Sequence, residues 1–382
     1  MSCVKGWIVS MLRTSQISGG QLAALLLVSR LSVAMTYSAT RHQLSNGLDF
    51  VLSIVLQSVL LLLLFLPLWW FSRRTGGAGT LDYGYLLFGR GGAVLAVMYA
   101  LICLYVQGVE LIRFRYFVAT ALSPDMPVVI LCIVLVLAAY SAALYGIESL
   151  GRAAAIAAVL IAAVIAFIAF ALMPEMDAAY FPPFLYDGFS PVIAGTLEET
   201  PRTVEIAVLG LLLPYCQKKA GRGVVWWCVL LAVVMTVIQL TVVGVLGDFG
   251  GMVMFSYYTA ITAAQTSIVQ RLDILAVTIW IAALFLKLAL FGLLFMDCLK
   301  RLFRRNRGLS ETNKKRIYFV VGAALALLPA ILFGGTAMQE ERVLIWSISS
   351  VAIGAAAVLV PLILLLADYC RRRNEARKEH AE

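Results

Sequence analysis

Residues 195–219 read GTLEETPRTVEIAVLGLLLPYCQKK. The stretch is long enough to cross a bilayer, and its second half is apolar. Its first half carries Glu198, Glu199, Thr200, Pro201, Arg202, Thr203 and Glu205, which do not belong against lipid. Pro201 has no amide hydrogen and clashes with the carbonyl four residues back, so a continuous helix breaks there. Broken, polar backbone at membrane depth survives only where protein buries it or where it lines a watery cavity. The stretch predicts a discontinuous helix at a binding site.

The rest of the chain fits a membrane setting. Hydrophobic residues make up 62% and charged residues 13%, far from soluble composition, and many runs reach the roughly 20 apolar residues that span a bilayer. The reading is an all-α integral membrane protein whose partner is the lipid bilayer. The net charge of +9 comes from short inter-helix segments and the tail, a topology pattern rather than a nucleic-acid footprint. Seven cysteines show no CxxC pair and fall in or beside apolar runs, so free buried thiols are expected and a metal site is not. The two histidines, His42 and His380, lie outside the spans. No hydrolytic motif appears, so no enzyme and no cofactor is expected.

About ten transmembrane helices are predicted, at about 17–39, 48–71, 91–119, 127–145, 150–173, 191–216, 223–247, 272–299, 317–337 and 343–368. Residues 1–16 form a leading segment, 17–369 one membrane domain and 370–382 a basic tail. One face collects Lys5, Arg13, Arg73, Arg74, Arg90, Arg152, Lys218, Lys219, Arg222, the basic run Lys300–Arg316 and the tail. The other carries Arg41, Arg271 and Arg342 among acidic residues. That bias predicts both termini in the cytoplasm. The segment 174–195, rich in aromatics and proline, reads as an ordered outer loop or lid, and 248–270 as an interfacial or partly inserted outer helix.

Three spans carry charge at mid-depth. The first holds Ser29, Arg30, Ser32 and Thr36, the sixth Glu205 and the eighth Lys287. An arginine at that depth costs at least about 2.5–3.5 kcal/mol if it faces lipid, so Arg30 is expected to point inward. Arg30 reads either as the partner of a substrate carboxylate or as an ion pair with Glu205. Glu205 reads as an amine ligand, a proton carrier or the neutraliser of Arg30 or Lys287. Thr200, Pro201, Arg202 and Thr203 form the break, Glu198 and Glu199 line an outer vestibule, and Tyr99 walls the pocket or packs. Arg113 and Arg115 sit near the outer end of span three beside Glu110, at a spacing that pairs along one helix face. Spans one and six open two five-helix halves, about 17–173 and 191–369. Inverted halves would bring their polar breaks together at the midplane, as in a secondary transporter.

Four stretches carry a family resemblance: ISGGQLAALLLVSRLS (17–32), ALMPEMDAAYFPPFLYDGFSPVIAGTL (171–197), VEIAVLGLLLPYCQKK (204–219) and RLDILAVTIWIAALFLKLALF (271–291). In order and spacing they resemble the B subunits of spore germinant receptors, the endospore germination permeases. The resemblance implies the amino acid–polyamine–organocation transporter superfamily and its five-plus-five inverted-repeat fold with helices one and six broken. It implies binding of a small nutrient, often an amino acid, in the inner membrane of a dormant spore, with a membrane A subunit and a lipoprotein C subunit as partners. The alternative is a working proton-coupled amino acid permease. In this superfamily span eight lines a cation position, where the ammonium of Lys287 is expected to stand in for sodium or to act in coupling with Glu205. One departure is plain: span one reads SRLSVAMTY (29–37) at its break, without the glycines usual there.

Overall fold

The computed structural model describes residues 16–36, 47–123, 125–181, 185–186, 188–216, 220–263, 272–303, 310–332 and 338–379. Arg41, Lys218, Lys219, Arg271, the run 304–309, most of the leading segment and the part of span one beyond Thr36 lie outside them.

The described elements are helical. They are α1 Gly19–Leu31, α2 Gly47–Thr75, α3 Thr80–Phe88, α4 Gly92–Phe117, α5 Val128–Ala143, α6 Ile147–Ala171, α7 Ser190–Glu199, α8 Glu205–Leu212, α9 Ala220–Leu246, α10 Ser256–Ala263, α11 Leu272–Leu302, α12 Glu311–Leu332, α13 Met338–Ile353 and α14 Val360–Glu379. Among the described residues, seven helical stretches are long and apolar enough to cross a membrane. Gly19–Leu31, Val128–Ala143 and Glu205–Tyr215 are shorter apolar helices, and they fall on expected spans one, four and six. The helix count is thus roughly consistent with the ten predicted spans. The short helix α3, between spans two and three, was not expected.

Local chemistry sets the boundaries. Ser18 and Gln21 form a reciprocal capping box at the start of α1, which satisfies two otherwise orphan amides. Span six does break. It runs as α7, a tight 3-10 turn at Thr200–Arg202, then α8 and a second tight turn at Leu213–Tyr215. In span one, α1 ends at Leu31 despite the lack of glycine, and Val33 and Ala34 continue it only as turns onto the Arg30 and Leu31 carbonyls. Span ten contains a π-helical turn at Gly354–Leu359 between α13 and α14.

α1 packs against α6, α9 and α11, and α11 also touches α4, α5 and α12. Gly223 of α9 makes one of these contacts possible, since a Cβ there would lie 2.5 Å from the Gly19 carbonyl oxygen. Burial separates the centre from the rim: α9 and α11 are mostly buried along their apolar lengths, and α6 is mostly exposed. α6 turns Ile156, Val159, Leu160, Phe167 and Phe170 outward, as a lipid-facing helix must. α8 is enclosed by α2, α3 and the π-helical turn of span ten. Its break thus lies inside the bundle.

Candidate functional site

The end of α1 meets the break of span six. Arg30 stands in the last turn of α1 and Glu205 in the first turn of α8. Each charge complements its own helix, a cation at a C-terminus and an anion at an N-terminus. Both are buried, Arg30 to 1% and Glu205 to 0% exposure. Their adjoining segments are joined by Ser29, whose hydroxyl donates to Glu205 Oε1 at 2.8 Å, and by Arg30 Nε, which donates to Thr203 Oγ1 at 3.2 Å.

Arg30 does not pair with Glu205, one of the two roles the sequence left open. Its Nη2 lies 3.1 Å from Glu199 Oε2. Glu199 and Thr203 flank the tight turn of span six, and one long guanidinium reaches both. Glu199 was expected in an outer vestibule. It is instead fully buried, and it also binds Arg202 at 2.7 Å. Gln57 of α2 secures this corner by donating to the Glu199 carbonyl and to Thr203 Oγ1, at 2.9 and 3.0 Å.

Glu205 pairs with Lys287, with Nζ 3.1 Å from Oε1. The same ammonium lies 3.0 Å from Glu110 Oε1 on α4. Glu110 also binds Arg113 at 3.4 Å, and Ser32 donates to its Oε2 at 3.4 Å. Trp280 of α11 donates its indole N–H to the Ser32 carbonyl. Side chains thus cover the carbonyls that the end of α1 leaves unpaired: Ser32 Oγ takes that of Ser29, Trp280 that of Ser32 and Thr36 that of Val33.

Most of the predicted site residues come together: Ser29, Arg30, Ser32, Thr203, Glu205 and Lys287 form one buried network, with Thr200, Pro201 and Arg202 at its edge. Thr36 and Tyr99 do not hydrogen-bond into it. Tyr99 donates to the Ala356 carbonyl in the π-helical turn and accepts from Thr80, against Gly210 of α8. Glu110, Glu199 and Gln57 are site residues that sequence reasoning missed. The signal for the two acids was charge balance: two buried cations need carboxylates of their own, and few acids lie within spans.

Two buried polar atoms of the network make no hydrogen bond, Arg30 Nη1 and Glu205 Oε2. One is a cationic donor and the other an anionic acceptor, and they belong to residues whose neighbours Thr203 and Ser29 cross-link spans one and six. Buried polar groups are rarely left unpaired. The pair has the complementary form to a molecule bearing a carboxylate and an ammonium group.

The spore germination protein family matches residues 16–328. The chain matches no curated protein. Among solved structures it resembles a nucleobase-cation-symport-1 family transporter in a closed conformation with bromovinylhydantoin bound, with TM-score 0.59 and 14% identity over 91% of this chain and 78% of that one. It also resembles the substrate-bound, outward-open state of a Na+-coupled sialic acid symporter, with TM-score 0.60 and 11% identity over 94% of this chain and 86% of that one. At such identities the likeness is one of fold.

Proposed function

The chain belongs to the spore germination protein family, and from that premise we propose that it is the transporter-like membrane subunit of a germinant receptor that binds an amino acid where spans one and six break. The observation that carries this reading is the pair of unpaired buried atoms, Arg30 Nη1 and Glu205 Oε2. Arg30 receives the ligand carboxylate and Glu205 its ammonium, with Ser29, Ser32, Thr36, Tyr99 and Thr200–Thr203 assigned to the same site. Lys287, between Glu205 and Glu110, supplies from within the chain the positive charge that a bound metal cation supplies in a sodium-coupled carrier. The halves 17–173 and 191–369 act as the two repeats, with both termini in the cytoplasm. Closure around the nutrient passes to membrane A and lipoprotein C subunits in the spore inner membrane.

The likeness to symporter structures favours one second reading, a proton-coupled amino acid permease using the same residues. Binding to the purified protein in nanodiscs, titrated with the twenty L-amino acids and with analogues lacking the amine or the carboxylate, tests the site. At least one amino acid should bind, and each truncated analogue should bind about tenfold or more weakly. Equal binding of an analogue would sink the two-point reading. Saturable uptake of the same amino acid into proteoliposomes under a proton gradient would favour the permease.

A further inference from the structure

Lys287 is held by two carboxylates from different helices at almost the same distance, Glu110 Oε1 of α4 at 3.0 Å and Glu205 Oε1 of α8 at 3.1 Å. All three side chains are buried. The carboxylates differ in what else they hold. Glu110 uses both oxygens, with Arg113 and Lys287 on Oε1 and Ser32 on Oε2. Glu205 has Ser29 and Lys287 on Oε1, and its Oε2 makes no bond. The end of α1 touches both, Ser29 on Glu205 and Ser32 on Glu110.

We propose that Glu110 is a positioning residue that gives Lys287 a second seat, so that a ligand ammonium arriving at Glu205 Oε2 displaces Lys287 toward α4 rather than having to compete with it. The physical need is direct. Two ammonium groups on one buried carboxylate repel each other, and a lysine with no other partner would be stranded as an unpaired buried charge. Glu110 removes that obstacle. Its seat is already formed at 3.0 Å, so Lys287 need only release one of two bonds. Ligand binding then transfers the grip of α11 from α8 to α4, which turns occupancy of the site into a changed contact between helices. The inference rests on the amino acid reading of the site given above.

The test uses the full-length protein in nanodiscs and compares the best-binding L-amino acid with the same acid lacking its amine. In Glu110→Gln, Lys287 stays on Glu205, and affinity for the amino acid should fall about tenfold or more. Affinity for the amine-free acid should hold within about twofold, because Arg30 is untouched. Adding Lys287→Met to Glu110→Gln removes the competitor and should restore amino acid binding above the single variant. Wild-type affinity in Glu110→Gln, an equal loss of both ligands, or a double variant no better than the single one each overturns the proposal. If no amino acid binds the wild-type protein, the ligand reading is what fails. In that case thermal midpoints decide the seat: non-additive effects of Glu110→Gln and Lys287→Met support it, and additive effects overturn it.

Discussion

Arg30 shows what a buried charge demands of its neighbours. Its guanidinium lies 3.1 Å from Glu199 and 3.2 Å from Thr203, with both ion-pair partners 1% exposed. Removing one member of such a pair leaves the other buried and uncompensated, at a cost of about 3–5 kcal/mol, whereas replacing both with apolar residues is often near neutral. Glu199→Gln should therefore lower the thermal midpoint of the purified protein sharply, and Arg30→Met with Glu199→Leu should recover much of the loss. A double variant less stable than either single would show that the pair carries more than its own charge. Glu199 stays in place through its carbonyl, held by Gln57, so the comparison reports on the side chain.

Span six shows how two short helices are fitted into one span, as its proline predicted. Pro201 sits in a tight turn that starts at Thr200, and Thr203 takes φ −100°, ψ 56°, outside helical geometry, before α8 restarts at Glu205. Thr200 returns its hydroxyl to the Thr196 carbonyl at 2.7 Å, so the end of α7 is sealed from within. The start of α1 approaches α9 closely at Gly19, and Gly223 permits this. Gly223→Ala should cost about 1–3 kcal/mol through overpacking against backbone, read as a fall in the thermal midpoint in detergent. Gly354→Ala, where nothing lies within 4 Å, should change it little. Equal effects would show that the α1–α9 approach is not the constraint.

Across the whole molecule, a second charge cluster closes the face that carries Arg73 and Arg74. Arg301 of α11 binds Asp82 of α3 and Asp297, Tyr215 at the end of span six donates to Asp297 at 2.9 Å, and Ile17 donates its backbone N–H to the Tyr215 carbonyl at 2.9 Å. The residue next to Asp82, Tyr83, donates to Asp368 of α14 at 2.6 Å. One short helix thus ties spans eight and ten together beneath the broken span six. Arg301→Ala should loosen that face and expose Cys298, which is 1% exposed. Thiol labelling of Cys298, read by mass spectrometry, should speed up about tenfold, equal to about 1.4 kcal/mol of easier opening. An unchanged rate would mean that the cluster does not hold the face shut.

Much of this was written locally. The spans follow from runs of apolar residues, which lipid requires, and the break in span six from a proline among acids and threonines, which lipid forbids. Arg30, Glu205 and Lys287 stood out because a charge at mid-depth needs a reason wherever the chain takes it. What the sequence could not decide was who pairs with whom. Glu205 had two cations to choose from, Glu199 sat at the edge of a polar run and Glu110 beside two arginines of its own helix, and no local rule ranks contacts between residues so far apart in the chain. Helix packing ranks them. It sets Arg30 against α7, leaves Lys287 between α4 and α8, and so determines which buried atoms of the site keep a bond to offer.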